Sequence, residues 1–304
     1  MKRDKTLLLP GLLRHYSQAW KDHPRERLKL LLGTAFFPRA TSRCLPYLDA
    51  DTHLQHHARQ FPKLVTRIYR PYALRSFNCS QRVTLMIQHH EILRLNGWSN
   101  LVDASRNAPL QIAKWTANDG NIVTLQLVSL RDGHREGDHS LQLLWGSEVL
   151  FSLTFVLRET QQVRQLLVTR LQGSQNSSAQ ELIRNATKAL HGLRPADFLL
   201  QMARNLASKL GCSDVVLVSN RQRVALNPLR RFRIKLDLDK FWLERGASVH
   251  SDGLFVMSPE VEIRSDFTDI PSNKRAQARR RSDVLRQAFN ALSITLETLR
   301  NTGA

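Results

Sequence analysis

The sequence predicts an α+β protein in which an antiparallel β-meander packs against helices. Residues 1–60 and the stretch from Ser80 to about Leu95 predict helices, residues 108–157 change to strand spacing, and the helical pattern returns after Gly173. A short β-branched run, Val215–Val218, then interrupts the helices and is typical of a buried strand. We therefore expect a mainly helical region, residues 1–105, and an α+β core, residues 106–304, either as two domains or as one continuous domain.

Prolines define the expected helix limits in the first part of the chain. Residues 1–60 predict short helices, with breaks at Pro38 and Pro46. The segment Arg67–Tyr72 is expected to be extended, because a proline disfavours helix at the residue before it. A helix with Ser80 as its N-cap is then expected to continue to about Leu95.

Histidine and cysteine patterns do not predict a metal site. His89 and His90 are adjacent on the expected helix, where neighbours diverge by about 100 degrees, so one ion would not readily take both. We expect a structural role for His90. Three distant cysteines argue against a disulfide framework and fit a reducing cytoplasm. They are Cys44, Cys79 and Cys212.

One early helix has an apolar stripe beside cations. The residues Leu28, Leu31, Leu32 and Ala35 share a face, and the neighbouring cations are Arg25, Arg27 and Lys29. The stripe fits either peripheral contact with a membrane or packing in the core, and we favour the core. We expect no signal peptide and no transmembrane segment, because every apolar run is shorter than a bilayer needs.

Alternating residues predict five strands of the meander. Two hairpins are expected around Asn118-Asp119-Gly120 and Gly146-Ser147, because these residues favour tight turns. The expected strands are Ile112–Ala117, Ile122–Val128, Leu141–Trp145, Val149–Val156 and Val163–Leu171.

Three helices are expected in the last part of the chain. Ser178 with Glu181 predicts a capping box, and Pro195 fits the first turn of a second helix that stops at Gly211. A last long helix is expected from about Pro271. On it, Lys274 and Arg281 are predicted to lie along the apolar stripe, facing inward.

The composition favours an anionic partner. The formal net charge is +19, so we expect a phosphorylated small molecule or an anionic lipid, with nucleic acid as a weaker alternative. Inward cations require an anionic ligand or counter-charges such as Asp239, Glu244 and Asp252, and both interpretations stay open. The basic stretch over residues 221–233 has one aromatic residue and is better explained as a solvated loop.

A second group of cations surrounds the predicted helix start at Pro195. Backbone N–H groups and the helix dipole favour an anion there, and Gly192 allows close approach. The simpler alternative is that Gly192 is an ordinary helix cap. For Trp242, the simpler alternative is packing in the core. The predicted ligand site comprises Lys188, Arg194, Asn220, Trp242, Asp252, Lys274, Arg275, Arg279 and Arg281. The candidate bases are His191, Asp239 and Glu244, and no spacing selects among them.

Ordered motifs over most of the chain resemble the VirK/YbjX family of Gram-negative bacterial proteins. The motifs that carry this resemblance are Leu171-Gln172-Gly173, Thr187-Lys188, His191-Gly192-Leu193-Arg194-Pro195, Val218-Ser219-Asn220, Asp239-x-Phe241-Trp242-x-Glu244, Asp252-Gly253 and Lys274-Arg275-Ala276 with Arg279-Arg280-Arg281. The first part of the chain agrees with the family pattern at Arg67-x-Tyr69-x-Pro71-Tyr72, Arg82 and His90. Two positions differ from the pattern that the resemblance leads us to expect. Thr169-Arg170 stands where a Gly-Cys pair is expected, and Ala196 stands where a basic residue is expected.

The resemblance implies residence in the cytoplasm or at the inner face of the inner membrane. It also implies a link to virulence, stress, envelope integrity and resistance to antimicrobial peptides, and it supplies no catalytic residue and no cofactor. Three functions are open: an acyltransferase-like group transfer, a non-catalytic binder of anionic lipid or another envelope component, and a nucleic-acid binder. The order of helices, meander, helix and strand is similar to the GNAT acyltransferase fold, although a glycine-rich phosphate turn is missing.

Overall fold

A computed structural model describes residues 9–117, 120–130, 134–174, 179–224 and 236–301. Eleven α-helices and eight β-strands lie within these residues. The helices are α1 (Leu9–Ala19), α2 (Pro24–Phe36), α3 (Pro38–Ala50), α4 (Thr52–Gln60), α5 (Pro62–Thr66), α6 (Cys79–Leu95), α7 (Ser99–Asn107), α8 (Ala179–Ala189), α9 (Pro195–Lys209), α10 (Leu238–Leu243) and α11 (Ser272–Asn301). The strands are β1 (Leu110–Thr116), β2 (Ile122–Ser129), β3 (His139–Trp145), β4 (Glu148–Thr160), β5 (Val163–Gly173), β6 (Asp214–Leu217), β7 (Ser248–Val249) and β8 (Phe255–Met257).

The strands form one sheet in the order β1-β2-β3-β4-β5-β6-β8-β7. The first five strands are the predicted antiparallel meander, and β6 pairs with β5 in parallel. The chain makes this crossover through α8 and α9, because a parallel neighbour cannot be reached by a tight turn. The predicted α+β class is confirmed. Strands β7 and β8 and the short helix α10 were not predicted.

The alternation that predicted the strands also describes their burial. Along β2, buried and half-buried residues alternate, whereas the centre of β4 is buried on both faces. Helix α9 packs on β3, β4, β5 and β6, and α6 packs on β4, so the middle of the sheet is covered.

Both predicted hairpins join the expected strands. Gly146 and Ser147 connect β3 with β4, and Gly120 lies in the connection between β1 and β2. The other two residues of that first turn, Asn118 and Asp119, lie outside the described residues.

Several predicted helix limits are confirmed, and the N-cap of α6 needs correction. Helix α9 starts at the expected proline, and α6 ends at the expected residue, but its N-cap is Asn78 rather than Ser80. The Asn78 side chain accepts a hydrogen bond from Gln81 N at 3.0 Å, and the Gln81 side chain accepts one from Asn78 N at 2.9 Å. This reciprocal capping box satisfies two free N–H groups, so the helix begins earlier than expected. The capping residue expected for α8, Ser178, lies outside the described residues.

Two proline-based expectations are also corrected. Pro38 starts α3 as a break requires, but Pro46 lies inside α3 and does not end it, because buried residues on both sides of the proline hold the helix against its neighbours. The segment expected to be extended begins instead with a 3-10 turn, Arg67–Tyr69, and becomes extended only at Arg70, the residue before Pro71.

The apolar stripe on α2 is not part of the core. Its four residues, Leu28, Leu31, Leu32 and Ala35, are exposed, and the buried side of α2 is formed by Glu26, Leu30 and Gly33. The expectation of core packing is therefore wrong. The periodicity identified a face of the helix correctly, but the neighbouring helices cover the opposite one.

Helix α6 joins two hydrophobic clusters. Val83 and Met86 pack with α1, α3 and α4, whereas Leu85, Ile92 and Leu93 pack with residues of the sheet. An α-helix can serve both sides because residues three and four apart share a face while intervening residues point elsewhere. The helical layer and the sheet are thus held together through α6.

A buried ion pair reinforces this contact. Arg67 Nη1 lies 2.6 Å from Asp138 Oδ1, the Tyr72 hydroxyl donates to the other carboxylate oxygen, and the Arg67 guanidinium lies 4.4 Å from the centre of the Tyr72 ring. Burial alone would raise the pKa of Asp138, but the charge of Arg67 and the surrounding donors outweigh it and lower that pKa. Arg67 and Asp138 belong to the helical region and to the segment before β3, so the pair connects them.

Three neutral histidines surround this pair. His89 Nδ1 accepts a hydrogen bond from Leu157 N at 3.0 Å, so His89 Nε2 carries the proton and donates to His139 Nδ1 at 3.1 Å. Burial lowers the pKa of His89, His90 and His139 to about 3. His90 is buried as expected, but its Nε2 atom has no hydrogen-bond partner among the described residues.

Replacement of Asp138 by asparagine is expected to lower the free energy of unfolding by about 3–5 kcal/mol, because Arg67 would remain charged, buried and unpaired. Urea unfolding at neutral pH measures this change. The control is Asp283→Asn, which removes an exposed partner of Arg286 and is expected to cost less than about 1 kcal/mol. Equal losses in the two variants would contradict the structural importance of the buried pair.

Acidification is expected to destabilise the protein below about pH 6.5. The histidine pKa values of about 3 lie below those of the unfolded chain, so the unfolded state binds more protons between these limits. Their contribution is fully present above about pH 6.5 and falls by about 1.4 kcal/mol per pH unit for each histidine. Urea unfolding across this range measures the slope. His90→Gln should reduce the slope and exposed His134→Gln should not; equal slopes in all three proteins would refute this assignment.

Candidate functional site

The parallel strands β5 and β6 separate in the middle of the sheet. They pair from Gln165 with Asp214 to Val168 with Leu217, and Val218 N makes one further bond to Val168 O at 2.9 Å. Strand β5 then continues to Gly173 while pairing only with β4 among the described strands. We call the space beyond Val168 the sheet opening.

Hydrogen bonds to α10 hold the chain after β6 away from β5. Trp242 Nε1 donates to Val218 O at 2.9 Å, and Asn220 N donates to Asp239 Oδ1 at 2.7 Å. The Asn220 side chain also donates to Asp237 Oδ1 and accepts from Leu238 N. The motif residues Asn220, Asp239 and Trp242 therefore meet, as the predicted site required, and their contacts create the sheet opening.

A β-bulge lies on β5 at the start of the sheet opening. Thr154 pairs with Arg170 and Phe155 pairs with Val168, so Thr169 is the extra residue. A bulge interrupts regular pairing and often redirects side chains beside a functional site. The bulge falls at Thr169, directly before Arg170.

Charged and hydroxyl groups lie around the sheet opening. Arg170 forms an ion pair with Glu136 at 3.0 Å, and buried Arg223 donates to Leu236 O at 3.2 Å. Burial lowers the pKa of Arg223, with Glu136 acting in the opposite direction. The Ser219 hydroxyl is buried and has no hydrogen-bond partner among the described residues. A buried polar group without a partner is costly, so a ligand atom there would be stabilising.

Helix α9 brings Arg194 to the same end of the sheet. Its C-terminus leads directly into β6, so α9 runs back along the parallel strands and its N-terminus lies towards their carboxyl ends. An ion pair between Asp197 and Arg245 connects this N-terminus with the end of α10. Arg194 is the exposed N-cap residue of α9.

A second cluster forms where the turn between α8 and α9 meets α11. We call it the basic junction, comprising Lys188, His191, Arg194, Arg280 and Arg281. His191 N donates to Lys188 O and Gly192 N donates to Thr187 O, the bonds of a Schellman cap. The simpler interpretation of Gly192 as part of a helix cap is therefore correct, although His191 occupies the first left-handed position, with φ of 52°.

Arg281 packs against this turn. Its Nε atom donates to His191 O at 3.3 Å. Burial lowers the pKa of His191, and the nearby charges of Arg280 and Arg281 lower it further. His191 therefore favours its neutral form, as a base requires, but no contact within the described residues connects it with the sheet opening.

The inward orientation predicted for Lys274 and Arg281 is wrong. Both are exposed, and burial on α11 begins only at Ser282 and Val284. The first turns of α11 extend beyond the core, so the face that is apolar further along the helix meets solvent here. Arg275 is half-buried and donates to Ile270 O at 2.7 Å, and the Arg279 guanidinium lies 5.9 Å from the Phe267 ring.

The proposed counter-charges bind elsewhere. Asp239 accepts from Asn220 N, exposed Glu244 lies 3.4 Å from Arg245, and Asp252 lies 3.0 Å from His250. Within the part of the chain that the structure describes, the exposed cations of the basic junction and Lys274 form no ion pair. The three acids therefore do not neutralise the cations of α11, and that alternative is wrong.

Two predicted ligand residues, Trp242 and Asp252, lie in different parts of the structure. Trp242 is fully buried and belongs to the hydrophobic core, in agreement with the simpler interpretation of this tryptophan. Asp252 lies in the turn between β7 and β8. Burial lowers the pKa of Arg158, and the negative charge of Asp252 opposes this effect without overcoming it. Arg158 is at the opposite end of β4 and β5 from the sheet opening, so Asp252 does not join the other residues.

The basic stretch after β6 is not uniformly solvated. Arg221 is exposed, whereas Arg223 is buried and bonded to the backbone. The remaining members, Arg230, Arg231, Phe232 and Arg233, lie outside the described residues.

Sequence reasoning missed Glu136, Arg170, Ser219 and Arg223 as site candidates. The family motifs around residues 171–173 and 218–220 were the available signal. Sequence spacing does not relate these two segments, because only the pairing of β5 with β6 brings them to the same end of the sheet.

The family assignment follows from comparison with known proteins. A family model described as "Protein of unknown function (DUF535)" matches residues 19–293. The chain belongs to this family. The uncharacterized protein YbjX of Escherichia coli K12 is 29% identical over 265 residues, covering 85% of this chain and 80% of YbjX, which confirms the VirK/YbjX resemblance.

Two further relatives are also uncharacterized proteins. An uncharacterized Haemophilus influenzae protein is 25% identical over 301 residues, covering 94% of this chain and 97% of its own length. A second protein of that organism is 25% identical over 120 residues, or 40% of each chain. No solved structure matches, so the similarity to the GNAT fold stays a prediction. In the described residues, no helix is long and apolar enough to cross a membrane.

Gly192→Ala is expected to destabilise the basic junction. Gly192 has φ of +85°, and an added Cβ would lie 2.9 Å from Arg281 Nη2 and 3.1 Å from Gln277 Nε2. The left-handed conformation alone costs about 1–2 kcal/mol, and displacement of Arg281 adds to it. Gly246→Ala is the control, because φ is +79° and the space around it is open. Thermal unfolding measures the stability of both variants. An equal loss of stability in the two would show that the contact of Gly192 with α11 does not contribute to stability.

Proposed function

We propose that this protein transfers an acyl or similar group from a phosphorylated donor, such as an acyl-coenzyme A, to an acceptor of the bacterial envelope. The observation that carries the proposal is the sheet opening, with its bulge at Thr169 and the buried hydroxyl of Ser219, which lacks a partner among the described residues. In sheets with parallel strands, ligands commonly bind beyond the carboxyl ends where neighbouring strands separate.

The chemistry of such a donor matches both clusters. An extended chain with amide groups can hydrogen-bond to the edge of β5 that faces the sheet opening, as an added strand would. Its phosphates would meet Arg194 at the N-terminus of α9 and the other cations of the basic junction, where the helix dipole favours an anion. The long chain of the donor would connect the two clusters.

Group transfer requires a bond exchange and a proton acceptor. The bond between the acyl carbon and the donor sulfur breaks, a bond from that carbon to an acceptor oxygen or nitrogen forms, and the acceptor proton passes by way of a base to the departing thiolate. Asp239 is the predicted base that lies beside the sheet opening. Ser219 would donate a hydrogen bond to the ligand. The link to envelope integrity and peptide resistance that the family resemblance implies supports an envelope acceptor.

A non-catalytic role as a binder of anionic lipid is the second candidate. The observation that favours it is the start of α11, where residues 272–281 contain five cations and no acidic residue. Cations near a helix N-terminus oppose the helix dipole, so an anion bound there would be stabilising. No comparable observation favours nucleic acid among the described residues.

Arg194→Ala is expected to weaken binding of acetyl-coenzyme A by about tenfold to a hundredfold, because one charge-assisted hydrogen bond to phosphate is lost. Isothermal titration calorimetry measures the affinity. Lys209→Ala, which removes an exposed cation at the opposite end of α9, is the control and should bind like the unchanged protein. Ser219→Ala should weaken binding while the fold is retained. Unchanged affinity in both Arg194→Ala and Ser219→Ala would place the donor elsewhere and contradict the proposed site.

Native mass spectrometry of gently purified protein distinguishes the two functions. A bound acyl-coenzyme A supports group transfer, and a bound phospholipid without turnover of an acyl donor supports the lipid binder. Failure to bind acetyl-coenzyme A or longer acyl donors at any concentration tested would refute the proposed reaction.

A further inference from the structure

The outward face of α2 is apolar. The exposed fractions of Leu28, Leu31, Leu32 and Phe36 are 56%, 53%, 49% and 75%, and Phe37, directly after the helix, is 44% exposed. At about 100 degrees per residue, the four helical residues span an arc of about 140 degrees. Large apolar side chains that adjoin one another on a surface commonly mark an interaction site.

The opposite side anchors α2 in the protein. Glu26, Leu30 and Gly33 are buried, and α2 packs against α1, α3 and α5. Glu26 accepts a hydrogen bond from Lys29 at 2.6 Å and another from Thr66. The apolar arc therefore faces away from these helices, on a helix that is held in position.

Cations border this arc on both sides. Exposed Lys29 lies along one edge and half-buried Arg27 along the other, Arg25 lies at the N-terminal end of the arc itself, and exposed Arg39 follows in α3. Within α2 the single acidic residue is Glu26, which is buried. An apolar face bordered by cations is the pattern of helices that lie in the interface of an anionic bilayer.

We propose that α2 docks this protein on an anionic lipid bilayer, with Leu28, Leu31, Leu32 and Phe36 entering the boundary between headgroups and acyl chains. The neighbouring arginines, Arg25, Arg27 and Arg39, then contact lipid phosphates. A second copy of the chain is a poorer occupant, because it would bring the same cations together in a protein with formal net charge +19. This inference does not depend on group transfer at the sheet opening.

Vesicle co-sedimentation tests the docking surface. The protein should sediment with vesicles of phosphatidylcholine and phosphatidylglycerol, and much less with phosphatidylcholine alone. The variant Leu28→Gln/Leu31→Gln/Phe36→Gln should bind about tenfold or more weakly, because its apolar contact is lost. Ile294→Gln is the matched control, since Ile294 is 64% exposed on α11, and should bind normally. Equal binding by all three proteins, or no binding by the unchanged protein, would overturn the proposal.

Tryptophan fluorescence tests insertion separately from electrostatic adsorption. Leu32→Trp should show a blue shift of the added emission when phosphatidylglycerol vesicles are present, whereas Ile294→Trp should not. Adsorption without a shift at position 32 would overturn insertion by α2. A dimer in light scattering that the triple variant converts to monomer, without vesicle binding, would assign the surface to a second copy and would also overturn the proposal.

Discussion

The buried pair between Arg67 and Asp138 connects the helical layer with the sheet. A guanidinium with no exposed surface is tolerated because a carboxylate lies 2.6 Å away and an aromatic ring lies against it. The neutral histidines around the pair add no further charge. This arrangement holds the segment before β3 against the helices, and β3 in turn aligns the centre of the meander.

The site depends on a competition between two sets of hydrogen bonds. Strand β6 could have continued along β5, but its chain instead bonds to α10 through Trp242, Asn220 and Asp239. The sheet opening is the consequence. The short parallel pair therefore brings the two family motifs to the same end of the sheet, and it ends at the sheet opening.

The surface combines unpaired charge with exposed apolar area. The cations of the basic junction lack acidic partners in the described residues, and α2 turns its leucines outward. Both features are unfavourable for an isolated protein in water and become favourable beside an anion or a lipid surface. They lie on different helices, so the proposed ligand binding and the proposed membrane docking can be tested separately.

The sequence alone determined the local structure and the family. Alternation and turn residues predicted the meander, and ordered motifs predicted the family, because both signals are carried by neighbouring positions in the chain. The tertiary structure decided which faces are covered. Helical spacing shows that Lys274 and Arg281 share a face, or that Leu28 and Leu32 do, but it does not show which face meets another element. That depends on contacts between distant segments, and these left both pairs exposed and placed Ser219 where the pairing of β5 with β6 ends.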